Sequence, residues 1–454
     1  MPIISKHGLI SRHAISRNGL MMSLLAVLMA GLSACGQTEI ILPGERIAVI
    51  DTSTTNILIV DDQAAGEGAG LPGAVLNTSF MTPGGSVSHR GGHFSAELPL
   101  QRAFSVRVGI SADEGTDMAQ PVVNENAVFT ITPGGEITAS SITDGAELWT
   151  ADIDPSTDQS QVSISGGLGL IDGLLVAHAG KERLVALNAA TGEEIWSMQA
   201  PHFLVGGPSM VAGFIIVTDI NGRVYAFTQS NGEEVWNRIG SQGQTRIPGA
   251  AYPAIVDNDL IVAGGDGELI SLNLTDGSFN WGDTLVPTRL VTALDSIADI
   301  TAHPVHDGGI VIAVTQSGIM VAYNARTGRL IWEQPLRSLT MPWLAGDTLF
   351  VSTSNNELLA LRRSDGAVRW KTDLPGRYNA NEPVVENALR HTAPVLVSGK
   401  VLVANHRGEM LVFDAETGSS EGDFSIGGSI TTDLSIANGT VFALDRSGRL
   451  TAWR

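Results

Sequence analysis

A single cysteine, Cys35, occurs in the 454 residues, so no disulfide forms within the chain and its stability rests on packing. Basic residues are scarce, 27 Lys and Arg against 47 Asp and Glu, for a formal charge of −20. An acidic field of that size makes nucleic acid and anionic lipid surfaces poor partners. The apolar run Met21 to Leu32 is about a dozen residues, short of the ~20 that a spanning helix needs. Motifs of catalysis are absent too. No Gly-x-Ser-x-Gly elbow occurs. Of ten histidines only His89 and His93 lie four apart, in a Gly-rich stretch with no helical pattern to put both rings on one face. A loop-bonding or solvated role outweighs metal ligation there.

What is present begins with an export signal. Lys6, Arg12 and Arg17 precede the apolar run, and small residues follow it, the order of a signal peptide. Leu32-Ser33-Ala34-Cys35 resembles the lipobox of bacterial lipoproteins, which implies cleavage after Ala34 and acylation of Cys35. Acyl chains contribute about 0.8 kcal/mol per buried CH₂, enough to hold a multiply acylated N-terminus to a bilayer. Gly36 follows, not the Asp that usually keeps such lipoproteins at the inner membrane, so the resemblance implies the periplasmic face of the outer membrane. Removing residues 1–34 leaves 47 acidic against 24 basic residues, a formal charge of −23.

The rest of the chain repeats. A Gly is followed four residues later by Trp at Gly145/Trp149, Gly192/Trp196, Gly232/Trp236, Gly277/Trp281, Gly328/Trp332 and Gly366/Trp370. A seventh copy, Thr417-Gly418, lacks that Trp but has Phe424 two positions further on. Upstream of each turn lie two β-rich runs, such as Leu174 to His178 and Arg183 to Asn188, separated by Gly, Asn and Asp clusters. Successive Trp positions are 47, 40, 45, 51 and 38 residues apart, the period of a four-stranded propeller blade. Each Trp is read as filler between neighbouring blades, stabilising by roughly 1.5–3 kcal/mol or more.

Units beginning near Pro121, Gly169, Pro208, Pro253, Pro304, Pro342, Pro394 and Leu434 give an all-β, eight-bladed β-propeller of four-stranded antiparallel blades, or seven if two units are misassigned. The last unit ends one strand short, at Arg449 to Arg454, and Phe104 to Gly109 looks like the missing outer strand with Phe in place of Trp. An N-terminal strand therefore closes the ring and removes exposed edges. The expected division is a signal peptide over 1–34, a lipidated tether and strap over 35–95, and the propeller over 96–454.

The unit Ala186-Leu-Asn-Ala-Ala-Thr-Gly-Glu-Glu-Ile-Trp196 resembles the repeat of pyrroloquinoline quinone enzymes, which recurs in propellers without a quinone. In many quinoprotein dehydrogenases the quinone stacks on an adjacent-cysteine disulfide that this chain cannot form. No cofactor is expected and the chain is read as noncatalytic. A periplasmic quinoprotein dehydrogenase or a ligand-binding propeller is the alternative. Lipobox, tether and eight blades together resemble the BamB family of outer-membrane assembly lipoproteins, from about residue 100 to the end. The most specific stretch holds Arg246-Ile-Pro-Gly-Ala-Ala-Tyr-Pro253 and Leu294-Asp-Ser-Ile-Ala-Asp-Ile-Thr-Ala-His-Pro304. These look like the family's paired interblade loops, which implies that Arg246 and Asp299 contact the periplasmic domains of the barrel insertase. Unfolded outer-membrane proteins are a second implied class of partner. The chain departs from the family pattern at Gly243-Gln244-Thr245, where apolar residues precede the Arg, and at Thr301, in place of a second acid. Independently, the extra length in the longer repeats falls after the Trp strand, on connections that share one face of a propeller. Longer loops on one face are how repeat folds build a binding surface. Gly264-Gly-Asp-Gly267 falls where other repeats carry hairpin turns and is read as one.

Overall fold

The computed structural model describes residues 58–109, 118–154, 166–240, 251–285, 299–376 and 388–454. Cys35, Ala34 and Arg246 lie outside the described residues. Eight four-stranded antiparallel sheets follow one another along the chain. Blade 1 starts at Val122–Val123, blade 2 at Gly167–Ile171, blade 3 at Leu204–Val211 and blade 4 at Ala254–Val256. Blades 5 to 8 start at Val305–Asp307, Trp343–Ala345, Val395–Val397 and Ser435–Ala437. The middle strands are buried on both faces, as in Ala127–Ile131 and Thr348–Ser352, and so read as continuous apolar runs. Outer strands such as Glu194–Gln199 are exposed at alternate residues.

The Gly-to-Trp spacing is a lock between blades. Each Trp pairs across its sheet with a small residue, Ala139, Ala186, Ala226, Ser271, Ala322 or Ala360. Its indole lies on the turn glycine of the next blade, where a Cβ would come within 2.4 to 2.8 Å of the ring. Its Nε1–H donates at 2.5 to 3.1 Å to a carbonyl of that turn, in all six cases. Only glycine permits this approach, and the positive φ of these turns suits it as well. Gly277→Ala is accordingly expected to cost about 2–4 kcal/mol, combining overpacking against Trp236 with a left-handed backbone. Gly213→Ala, with φ +89° but open space around it, is expected to cost only about 1–2 kcal/mol. Urea midpoints of the two variants check the difference, and equal midpoints would refute the lock.

The ring closes as the sequence suggests. Strand Arg102–Arg107 pairs antiparallel with Arg449–Trp453 and completes blade 8, with Phe104 opposite Ala452. Phe104 then packs on Gly145 of blade 1 as a Trp does elsewhere. Closure also explains the missing seventh Trp. Gly422 holds the Trp position of blade 7, opposite the bulkier Val412. The outer strand of blade 8 is Arg102–Arg107, so no hairpin joins it to Arg449–Trp453 and the turn that receives an indole elsewhere has no counterpart there. Gln101 and Arg454 exchange two backbone hydrogen bonds in its place. Phe424 packs instead on Trp453, ring centroids 5.0 Å apart.

The segment before the ring is built into it from Leu58 onward. Val60 bridges Val368 on the outer edge of blade 6, and helix α1 (Asp62–Gly66) packs beside it, capped by the Asp61 side chain. Arg369, 4% exposed, donates to the carbonyls of Ala64, Glu67 and Gly68 and to Asp347 Oδ2. Beyond this clamp the strap circles the inner strands. In ring order Asn438 N–H bonds Asn77 O in blade 8, Phe80 pairs with Val123 in blade 1, and Leu170 N–H bonds Met81 O in blade 2. Ile255, His306 and Leu344 of blades 4, 5 and 6 donate to Val87, Ser88 and Arg90, and Phe94 N–H reaches Leu396 O in blade 7. Blade 3 receives no backbone bond from the strap among the described residues; between the bonds to blades 2 and 4 the chain turns at Pro83–Gly85 against the inner strand of blade 8. Trp343 fastens the strap with the device used between blades. Its ring faces Gly91 and its Nε1–H donates to Gly92 O at 2.8 Å.

Candidate partner-binding surface

Antiparallel order puts the hairpins between first and second, and third and fourth, strands on one face, together with the strap. The blade-to-blade connections emerge on the other face. Two neighbouring ones, into blades 4 and 5, carry the stretches singled out in the sequence. Their bases are braced to each other. Tyr252 N–H donates to His303 Nδ1 at 2.9 Å, and the two rings meet edge-on with centroids 5.1 Å apart. The Tyr252 hydroxyl accepts from Leu168 N–H of blade 2, which ties the first loop back across blade 3. His303 lies 5.4 Å from His89 of the strap, whose Nδ1–H donates to Pro304 O at 3.0 Å.

Burial dominates the electrostatics of this brace. It holds the His303 and His89 imidazoles down to about 3 and about 4, so both are neutral, and it raises the Tyr252 phenol above its ordinary range. His178 in blade 2 is held down to about 4 in the same way, its Nε2–H donating to Gly207 O while Nδ1 accepts from Gly180 N–H. A second brace of the same form joins the connections into blades 7 and 8. Ala393 N–H donates to Asp433 Oδ1 at 2.7 Å, and burial raises that carboxyl.

Asp299 is only 4% exposed, next to the equally buried Ile300. It therefore sits in the base of its loop, not on an outward tip as a contact residue would suggest. His89 and His93 do not share a ligand site. His93 bonds Pro72 O and Gly399 N–H. Among the described residues no three His, Cys, Asp or Glu side chains converge to hold a metal ion, and no helix is long and apolar enough to cross a membrane. Gly265–Gly267 is the hairpin turn between the second and third strands of blade 4. The brace residues Tyr252, His303 and His89 were not singled out as a group from sequence. Only their positions just before inner strands, repeated at Ala393 and Asp433, carry a signal.

A second surface is an apolar arc on the rim. Leu148, Ile195, Val235, Phe279 and Ile331, on the outer strands of blades 1 to 5, are 42 to 63% exposed. The arc ends at blade 6, where the corresponding residue is Arg369 under α1.

A family profile described as outer membrane protein assembly factor BamB matches residues 133–372. The protein of that name from Salmonella typhimurium is 28% identical over 354 residues, 77% of this chain and 87% of the relative. The one from Escherichia coli is 28% identical over 320 residues, covering 70% and 79%. Among solved structures, BamB from Moraxella catarrhalis superposes with a TM-score of 0.65 at 19% identity, over 78% of this chain and 99% of that one. A quinohemoprotein alcohol dehydrogenase from Comamonas testosteroni gives 0.62 at 12% identity, over 86% and 83%, a likeness of fold alone. By the match over residues 133–372, the chain belongs to the family of the outer membrane protein assembly factor BamB.

Proposed function

We propose that this propeller is a noncatalytic scaffold of outer-membrane protein assembly, held by acylated Cys35 after cleavage at Ala34 on the periplasmic face of the outer membrane. Its partner is the barrel insertase, engaged through the periplasmic domains of that protein. The observation that carries the reading is the braced pair of loops into blades 4 and 5. A binding surface made of loops needs rigid roots, and Tyr252 and His303 supply them. Arg246 is the contact residue, with Asp299 at the base of the neighbouring loop. The apolar arc on blades 1 to 5 is the surface for unfolded outer-membrane proteins, whose extended segments add to exposed strand edges.

Two variants test this reading. Arg246→Glu is expected to lower co-purification of the insertase from detergent-solubilised outer membranes at least tenfold, with an unchanged melting temperature. Equal recovery by the variant would exclude this face as the contact. Recovery of quinone and Ca²⁺ with the wild-type protein, and no insertase, would overturn the scaffold reading altogether. Cys35→Ala is expected to release the protein into the soluble periplasmic fraction with its melting temperature intact, and a loss of folding would count against a separate anchor and ring.

A further inference from the structure

Among the described residues the strap makes backbone hydrogen bonds to every blade except blade 3. In five blades the inner-strand residue one before the hairpin donates its N–H to a strap carbonyl: Val123 to Phe80, Leu170 to Met81, Ile255 to Val87, His306 to Ser88 and Leu344 to Arg90. Met210 is their counterpart in blade 3. It pairs with Ile215 beside the closing pair Val211 and Phe214, as Leu170 pairs with Leu175 beside Ile171 and Leu174. An N–H at that register points away from the neighbouring strand. Between Met81 and Val87 the strap leaves the rim of the ring and turns at Pro83–Gly85 toward the inner strand of blade 8, and among the described residues no strap carbonyl meets Met210.

The same detour opens a pocket of ≈ 230 Å³ between the strap and blades 2 and 3, lined by the apolar side chains of Met81, Val87, Leu170, Ile171, Met210 and Val211. Thr82 lines it too. That residue is 2% exposed, and its buried Oγ1 has no hydrogen-bond partner. A pocket with apolar walls, one unmatched amide and one unsatisfied hydroxyl has the makeup of a small binding site.

We propose that this pocket binds an extended, uncharged apolar segment of a partner protein, which sets a carbonyl against the Met210 N–H and an apolar side chain into the cavity. The ring itself argues for a peptide. At seven blades the same inner surface already holds extended backbone, with Phe80, Met81, Val87 and Phe94 among the residues laid on it. A segment at blade 3 would continue that interface in the one place where the strap leaves it. The pocket lies on the strap face, opposite the loops into blades 4 and 5, so it is a site separate from the insertase contact.

The test uses the full chain in detergent, with its eleven methionines labelled at the ¹³C methyl and assigned by Met→Leu substitution. The probe is the acetylated, amidated tetrapeptide Ser-Phe-Met-Thr, a copy of residues 79–82. Saturable shifts confined to the Met81 and Met210 methyls are expected. Val211→Trp, which fills the pocket, is expected to abolish them, and Thr82→Val to weaken binding roughly fivefold. If Val211→Trp does not fold, Thr82→Val decides alone. No shift at millimolar peptide, equal shifts in the filled variant, or unaltered affinity in Thr82→Val would overturn the proposal. So would shifts with benzene but not with the peptide, which would make this a small-molecule cavity.

Discussion

Lowering the pH from 7 to 4 is expected to destabilise the protein by several kcal/mol, and buried histidines are the cause. His89 and His178 are fully buried, and desolvation holds each at about 4 against an ordinary value of 6.5. In the unfolded chain both take up a proton near pH 6.5, whereas the folded state stays neutral until about pH 4. The unfolded state binds more protons throughout that window, so stability falls as the pH falls. The loss is about 3 kcal/mol per histidine by pH 4. Two such groups, about 6 kcal/mol together, reach the lower end of the 5–15 kcal/mol that holds a typical domain. His303 acts in the same direction. Asp433 acts in the opposite one, because its raised carboxyl binds a proton in the folded state first. Urea midpoints at pH 7, 6, 5 and 4.5 measure the slope. His178→Asn should reduce it by about one proton, the Asn side chain being able to accept from the N–H two residues on as Asn405 does one position later in the turn of blade 7. An unchanged slope in that variant would refute the assignment.

Trp343→Ala is expected to detach the strap at a cost of about 3–5 kcal/mol, the range for truncating a buried aromatic. The indole is 1% exposed, faces Gly91, bonds Gly92 O and meets Phe94 edge-on with centroids 5.8 Å apart. Without it the carbonyls of Arg90 and Gly92 lose the support that holds this stretch of backbone against blade 6. Trypsin should then cut after Arg90 within minutes, while the outer-strand pairing of Phe104 with Ala452 persists. Wild-type resistance to trypsin in the variant would show that the blades hold the strap without this residue.

The blades were legible because each repeats one solution to one packing problem. A small residue, a turn glycine and a Trp recur at fixed spacing, and Phe104 was recognisable as the eighth aromatic by the same pattern. Phe424 lies two positions beyond that spacing and packs on Trp453 instead. The true counterpart of Trp370 in blade 7 is Gly422, and its identity makes sense only once strand Arg102–Arg107 is seen to complete blade 8 without a receiving turn. The strap was hidden for a different reason. Its bonds to the ring are made by backbone carbonyls, which every residue has, so Met81, Val87 and Arg90 carry no shared sequence mark. The brace joins His89 to His303 across 214 residues of sequence, and nothing local to either residue indicates the other. Asp299 was assigned as a partner contact by its match to the family's acidic loop motif, which carries no information on its burial, and only the fold shows that it is 4% exposed.

The clamp on blade 6 has a mechanical consequence. The chain enters the described structure at Leu58 and is fastened by the Val60 bridge and by Arg369 before it reaches any other blade. A pull on the N-terminus is therefore borne first by blade 6, whose four strands are contiguous in sequence. The seam between Arg102–Arg107 and Arg449–Trp453, where the ring is held by noncovalent pairing alone, lies downstream of that fastening and of the whole strap. Arg369 works as strain relief does on a cable, keeping load at the anchor point from reaching the joint that would part.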